Sequence, residues 1–222
     1  MGDALPLFPL GTVLFPGLVL PLHVFEDRYR ALVRHLMAQP ADAPREFGVV
    51  AIRRGWEVEQ RAAPTLHEIG CTAQVRDVTE RPDGRFDLAT VGSRRFAIRR
   101  VEAGREPYLV ADVDWLDEAP GDPAEVDRLL PTVLDLFQRY LREIRPGLAG
   151  EQVPDDPTVL SYVVAATAAL PLGERQALLA APDTAARLRA ERHRLRFEIA
   201  LLRQVRAVPV PLSELAVTGS PN

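Results

Sequence analysis

The chain has 222 residues, 47% hydrophobic and 26% charged, enough to bury a substantial core in one large domain or two small ones. Its net charge of −4 and pI near 5.7 argue against a dedicated nucleic-acid binder, whose electrostatic footprint is usually basic. All 27 basic residues are Arg, which excludes a P-loop lysine, a Schiff base and a Ser-Lys dyad, and the single Cys71 excludes an intrachain disulfide and a Cys-based zinc site.

Residues 1–116 read mostly as strands and turns. Leu5-Pro6-Leu7-Phe8-Pro9-Leu10 and Leu18-Val19-Leu20-Pro21-Leu22-His23-Val24 are apolar runs interrupted by proline. Proline cannot donate to a ladder, so edge or bent strands are expected. Between them, Pro16-Gly17 suits a type II turn, with Gly supplying the positive φ. Phe25, Tyr29, Leu32, Val33, Leu36 and Met37 fall on one apolar stripe and predict a helix over 25–38, stopped by Pro40. Phe47 to Ile52 is apolar on both faces, as in a central strand. Ile69, Cys71, Ala73 and Val75 alternate with polar or small residues; Phe86 and Leu88 lead into Val91; Phe96 and Ile98 alternate with Arg95 and Arg99; and Leu109 to Trp115 forms a last strand. Pro82-Asp83-Gly84 marks a hairpin turn. Short strands at regular spacing with one helix predict a small closed or half-closed β-barrel.

An acidic, Pro/Gly-rich linker is expected at 117–122, within a run of seven acids and no Arg over 112–127. The remainder, 123–208, reads as a helical bundle. Asp122-Pro123-Ala124-Glu125 gives an N-cap, an N1 proline and an N3 acid, and the apolar spacing continues to Ile144, with a kink or restart expected at Pro131. Asp156-Pro157 starts a second helix, a short one covers about 173–180, and a last runs from about Asp183 to Arg206. Seven Arg and two Glu within 185–206 give that helix a basic face, which the acidic linker could cover. A tail over 209–222 is expected to be loosely ordered. With no basic n-region and no long apolar run, a cytoplasmic location with no membrane contact is the default.

Little here suggests catalysis. Cys71 lies on the apolar face of its strand and reads as core. His67, on the same face, is about 13 Å away along a strand, too far for a dyad. The four His lack metal-ligand spacing, no serine sits in a nucleophile elbow, and glycine-rich phosphate loops are absent, so no cofactor is expected. Arg94, Arg95, Arg99 and Arg100 cluster around one strand; they read either as a solvated face paired with Glu102, Glu106 and the linker, or as an RNA-facing stripe. In the opening corner, Glu26 and Asp27 suit the first turn of a helix and Glu26 can pair with Arg30. Arg28 has no acid one turn on, and Tyr29 carries a hydroxyl into the apolar stripe.

The residues resemble a known family. Leu5-Pro6-Leu7-Phe8-Pro9-Leu10, Val13-Leu14-Phe15-Pro16-Gly17, Leu20-Pro21-Leu22 and Phe25-Glu26-x-Arg28-Tyr29 look like the opening of the Lon protease N-terminal, or substrate-binding, domain. The likeness continues through Phe47-Gly48-Val49, Gly70-Cys71-x-Ala73, Asp83-Gly84-Arg85, Gly92-x-x-Arg95-Phe96 and Pro107-Tyr108-Leu109. Leu170-Pro171-Leu172, Arg175 to Leu179 and Ala186-Arg187-Leu188 carry it into the helices, so that it spans about 4–206. The resemblance implies an α+β fold: a PUA-like β-barrel with one inserted helix, then a C-terminal helical bundle. In full-length Lon proteases this region precedes an AAA+ ATPase and a Ser-Lys protease and is thought to engage unfolded or tagged polypeptides; a similar domain occurs in cereblon, a ubiquitin-ligase substrate receptor. With no Lys, ATPase and protease activity do not carry over, and a stand-alone, non-catalytic module is expected.

Its expected partners are unfolded or tagged polypeptides and, as a proteolysis adaptor, a Lon-type ATPase protease. Phe15, Leu18, Phe25, Arg28 and Tyr29 are the candidate polypeptide-binding residues, on exposed apolar surface of the barrel or in the groove beside the bundle. The alternatives are RNA binding through Arg94, Arg95, Arg99 and Arg100, and an unrecognised hydrolase.

Overall fold

A computed structural model of the chain describes residues 3–40, 43–54, 65–102, 104–144 and 153–207. Strands come first: β1 (Asp3–Leu10), β2 (Val19–Val24), β3 (Glu46–Arg54), β4 (Thr65–Leu66), β5 (Ile69–Glu80), β6 (Phe86–Glu102) and β7 (Leu109–Leu116), with helix α1 (Asp27–Ala38) between β2 and β3. Four helices follow: α2 (Pro123–Ile144), α3 (Pro157–Thr167), α4 (Leu172–Leu179) and α5 (Thr184–Ala207). The architecture is mixed α+β, with a mostly antiparallel sheet. The tail expected over 209–222 lies outside the described residues.

Pairing runs β1–β7–β6–β5–β3, and a parallel β3–β1 ladder returns it to the start. Strand β1 was expected to be an edge or bent strand; it has partners on both sides, so it is not an edge. It reconciles this with two prolines by changing partner along its length. Residues 3–7 pair with β7, and residues 7–10 pair with β3. Pro6 and Pro9 therefore each sit where one flank is unpaired and a missing N–H costs no ladder bond. Strand β2 pairs with β6 alone among the described strands, and its Pro21 fits an edge. The Phe86–Val91 and Phe96–Ile98 stretches lie on one long strand, β6, which contacts β2, β5 and β7.

The turn into β2 is as expected. Leu18 donates its N–H to the Phe15 carbonyl at 3.2 Å, and Gly17 takes φ +78°, which disfavours a side chain. The hairpin turn at 82–84 also forms, with Gly84 at φ +75°. Helix α1 starts two residues later than its apolar stripe suggests, because Glu26 is an extended N-cap. Helix α2 does not restart at Pro131. An interior proline costs about 3 kcal/mol, and burial of Leu129, Val133, Leu136, Phe137 and Tyr140 at about 1.5–3 kcal/mol each outweighs it.

One large core joins strands, α1 and the bundle, running from Phe8 and Phe47 through Phe15 and Tyr162 to Leu188 and Ile199. Cys71 is in it, and burial pushes its thiol pKa up to about 12. A smaller cluster of Leu5, Leu7, Val50, Phe96, Ala111 and Val113 packs within the sheet.

Candidate polypeptide-binding face

The opening corner is built by the Phe15–Leu18 turn, edge strand β2 and the start of α1. Alternation along β2 sends Val19, Pro21 and His23 outward. Val19 is 69% exposed, and Phe25, just before the helix, is 60% exposed. His23 stands beside Phe25, with ring centroids 6.3 Å apart, and its Nδ1 lies 2.7 Å from Asp87 Oδ1. That contact, with Arg81 at 2.5 Å, holds the Asp87 carboxyl below the usual carboxylate range. Val19 and Phe25 thus stand at opposite ends of this edge strand, with the charged group fixed beside Phe25.

The candidate residues of this corner divide. Phe15 is 1% exposed and packs at 6.0 Å against Tyr162; Tyr29 is also buried, stacked at 3.9 Å on Phe8. Both are core and offer no surface to a ligand, which corrects their placement on an exposed patch. Phe25 is the converse: the apolar stripe put it inward, but it precedes the first helical turn and faces out. Leu18 and Arg28 are half-buried. Arg28 is engaged after all, by Glu26 through Nε at 2.9 Å and by lying 4.6 Å over the Tyr29 ring. Burial, opposed by Arg28, pushes the Tyr29 hydroxyl pKa up to about 12. Arg30 bonds Asp27 and the Gly84 carbonyl, both at 2.8 Å, and so ties α1 to the β5–β6 turn rather than pairing with Glu26. Val19 was not singled out from sequence, although its place on an alternating, proline-bearing strand was a usable signal.

The four arginines of β6 do not form a continuous exposed stripe. Arg99 bonds Asp114, and Arg100 bonds Glu102 with Asp112 at 3.7 Å. Arg94 stacks 3.9 Å over Trp115 and reaches Glu46 at 3.5 Å. Arg95 is 2% exposed and cannot meet a nucleic acid. Its Nε donates to Glu118 at 2.5 Å, its Nη1 to the Leu179 and Ala181 carbonyls, and its Nη2 to the Asp117 carbonyl. It thus bolts the strands to the C-terminal end of α4, where cations are favoured.

Beside it lies a buried polar group that sequence patterning missed. Arg187 is fully buried, 3.9 Å over the Tyr162 ring, donating to the Leu178 carbonyl and to Ser161, with Glu118 at 3.5 Å. The linker therefore does meet the last helix, through Glu118–Arg187 and, just past it, Glu125–Arg189 at 2.6 Å. Glu191 is also buried, and neither carboxylate oxygen has a hydrogen-bond partner among the described residues. Burial raises its pKa well above the ordinary value, with Arg187 opposing. The group is packed between elements, so its work is structural. Among the described residues no cluster of His, Cys, Asp or Glu is placed to hold a metal, and no described helix is long and apolar enough to cross a membrane.

Residues 4–196 match the family model of the ATP-dependent protease La (LON) substrate-binding domain. The chain belongs to the Lon substrate-binding domain family. Relatives of this Lon domain include Lon protease 2 of Myxococcus xanthus, 33% identical over 198 residues, and Lon protease 2 of Syntrophobacter fumaroxidans, 29% identical over 192. Each match covers 84% of this chain but only 23% of the relative, so the chain spans less than a quarter of the length of these curated relatives. None of the match extends over the remaining parts of those proteases. Among solved structures, the Lon N-terminal domain protein from Xanthomonas campestris superposes with a TM-score of 0.57 at 26% identity, covering 84% of this chain and 95% of that one. The N-terminal domain of Mycobacterium avium complex Lon protease shares the fold, with a TM-score of 0.65 at 20% identity over 89% of this chain and 98% of that one.

Proposed function

We propose that this chain is a non-catalytic module that binds unfolded or tagged polypeptides and hands them to a Lon-type ATPase protease. The observation that carries the reading is the match to a Lon substrate-binding domain over residues 4–196. The exposed Phe25 at the corner of β2 and α1, and the exposed Val19 at the opposite end of the same edge strand, support it, because exposed apolar side chains on a well-packed scaffold offer contact surface. The contact residues of this reading are Val19 and Phe25, with Leu18 and Arg28 at the margin; Phe15 and Tyr29 support them from the core.

A photo-crosslinking residue at position 25, in the folded chain mixed with a reduced and carboxymethylated protein, tests the placement. Crosslinking at position 25, and none from a control at exposed Arg100 near the far end of β6, is the expected result. Equal labelling from both positions, or none from either, contradicts it.

A further inference from the structure

Helices α2 and α5 are the main helix pair of the bundle, and they leave a groove of about 350 Å³ between them. Its apolar lining is Leu136, Ile199 and Ala200; its charged lining is Arg139 from α2 with Arg196 and Arg203 from α5. One acid, Asp135, also lines it and lies 3.5 Å from Arg139. Arg196 and Arg203 are exposed and have no acidic partner among the described residues. This is unlike the arginines of β6, each of which has an acid in reach. In a chain of net charge −4, the groove is a local excess of positive charge.

From this juxtaposition we propose that the α2–α5 groove is a binding site for an acidic polypeptide segment that also carries aliphatic side chains. The proposal rests on the polypeptide-binding reading above and gives it a second contact with a charge preference. Guanidinium groups suit carboxylates, which they can bind through two parallel hydrogen bonds. The Arg139–Asp135 pair is surface-exposed and weak, so Arg139 can exchange partners. Leu136 and Ile199 would receive the aliphatic side chains of the segment. The aliphatic floor favours a peptide over a nucleic acid, whose bases would need stacking surface there.

The test uses fluorescence anisotropy of a labelled peptide of alternating Glu and Leu, titrated with the full chain. The same peptide with Gln for Glu serves as the neutral control. We expect the acidic peptide to bind more tightly than the neutral one, and the paired substitution Arg196→Glu with Arg203→Glu to weaken it by about tenfold or more, equivalent to roughly 1.4 kcal/mol. Both positions are exposed, so the variant retains its fold; an unchanged melting temperature verifies this. Equal affinity for both peptides, or no effect of the charge reversal, overturns the proposal. If the charge reversal leaves acidic-peptide binding unchanged while the chain still binds an unfolded protein, the groove claim fails alone. If neither chain binds any polypeptide, the underlying reading fails with it. Preferential binding of a labelled single-stranded RNA that displaces the peptide would also overturn it. So would a dimer that the charge reversal dissociates and that leaves no peptide-binding monomer, since the face would then belong to a second copy.

Discussion

Arg95 and Glu191 show how much the setting of a residue matters. On β6, Phe96 points to the core and Arg95 to the opposite face, as alternation dictates. Sequence patterning equates that face with solvent, but the end of α4 covers it and turns Arg95 into a buried connector. Arg95→Met should therefore destabilise the fold by about 1–3 kcal/mol, as expected for leaving the Leu179 and Ala181 carbonyls without their donor, which urea denaturation would measure. Glu191 acts in the opposite direction. Its folded pKa is raised by burial above its unfolded value of about 4.3. The folded state then holds the proton more tightly. Its contribution is most favourable below the unfolded pKa and is lost as pH rises towards the folded one. Glu191→Gln should stabilise the fold at neutral pH by about 1 kcal/mol or more, seen as a higher melting temperature, and flatten the loss of stability between acidic and neutral pH. Thermal melts of both proteins across that range check it. Neither role was legible beforehand, because burial of a charge depends on what another element lays over it.

At the scale of elements, the turns and most helix starts were legible because their chemistry is local. Pro16-Gly17 sets its own turn, and Asp156 caps α3 by accepting from the Val159 N–H at 2.8 Å. The start of α1 was misplaced since a 3.6-residue stripe does not reveal where helical dihedrals begin; Phe25 fits the stripe yet lies outside the helix. The partners of β1 were not legible, as the switch from β7 to β3 is a long-range pairing. Close approach between elements gives a contrasting pair of tests. A Cβ on Gly92 would lie 2.1 Å from the Phe15 carbonyl oxygen, a backbone atom that cannot yield, whereas a Cβ on Gly173 of α4 meets nothing within 4 Å. Gly92→Ala should cost at least about 1–3 kcal/mol. Gly173→Ala, in the first turn of α4, should stabilise by about a few tenths of a kcal/mol through helix propensity. Denaturation midpoints of the two variants should move in opposite directions.

For the whole molecule, the order of strands then helices was legible from composition and periodicity, and the Lon resemblance from the specific opening block. Which aromatic side chains reach solvent was only partly so. Phe25 does, but from just before the helix rather than on its apolar stripe, while Phe15 and Tyr29 were named because aromatic residues draw attention whether or not they reach solvent. The central claim is that this chain captures unfolded polypeptide through exposed side chains along edge strand β2 and the residues leading into α1. Calorimetric titration of the full chain with a reduced, carboxymethylated protein tests it, comparing the parent with Val19→Asp paired with Phe25→Asp. Both positions are exposed, so the variant should melt as the parent does. Saturable binding by the parent, weakened about tenfold or more in the variant, is the predicted result; no binding, or equal affinity in two equally folded proteins, would contradict it.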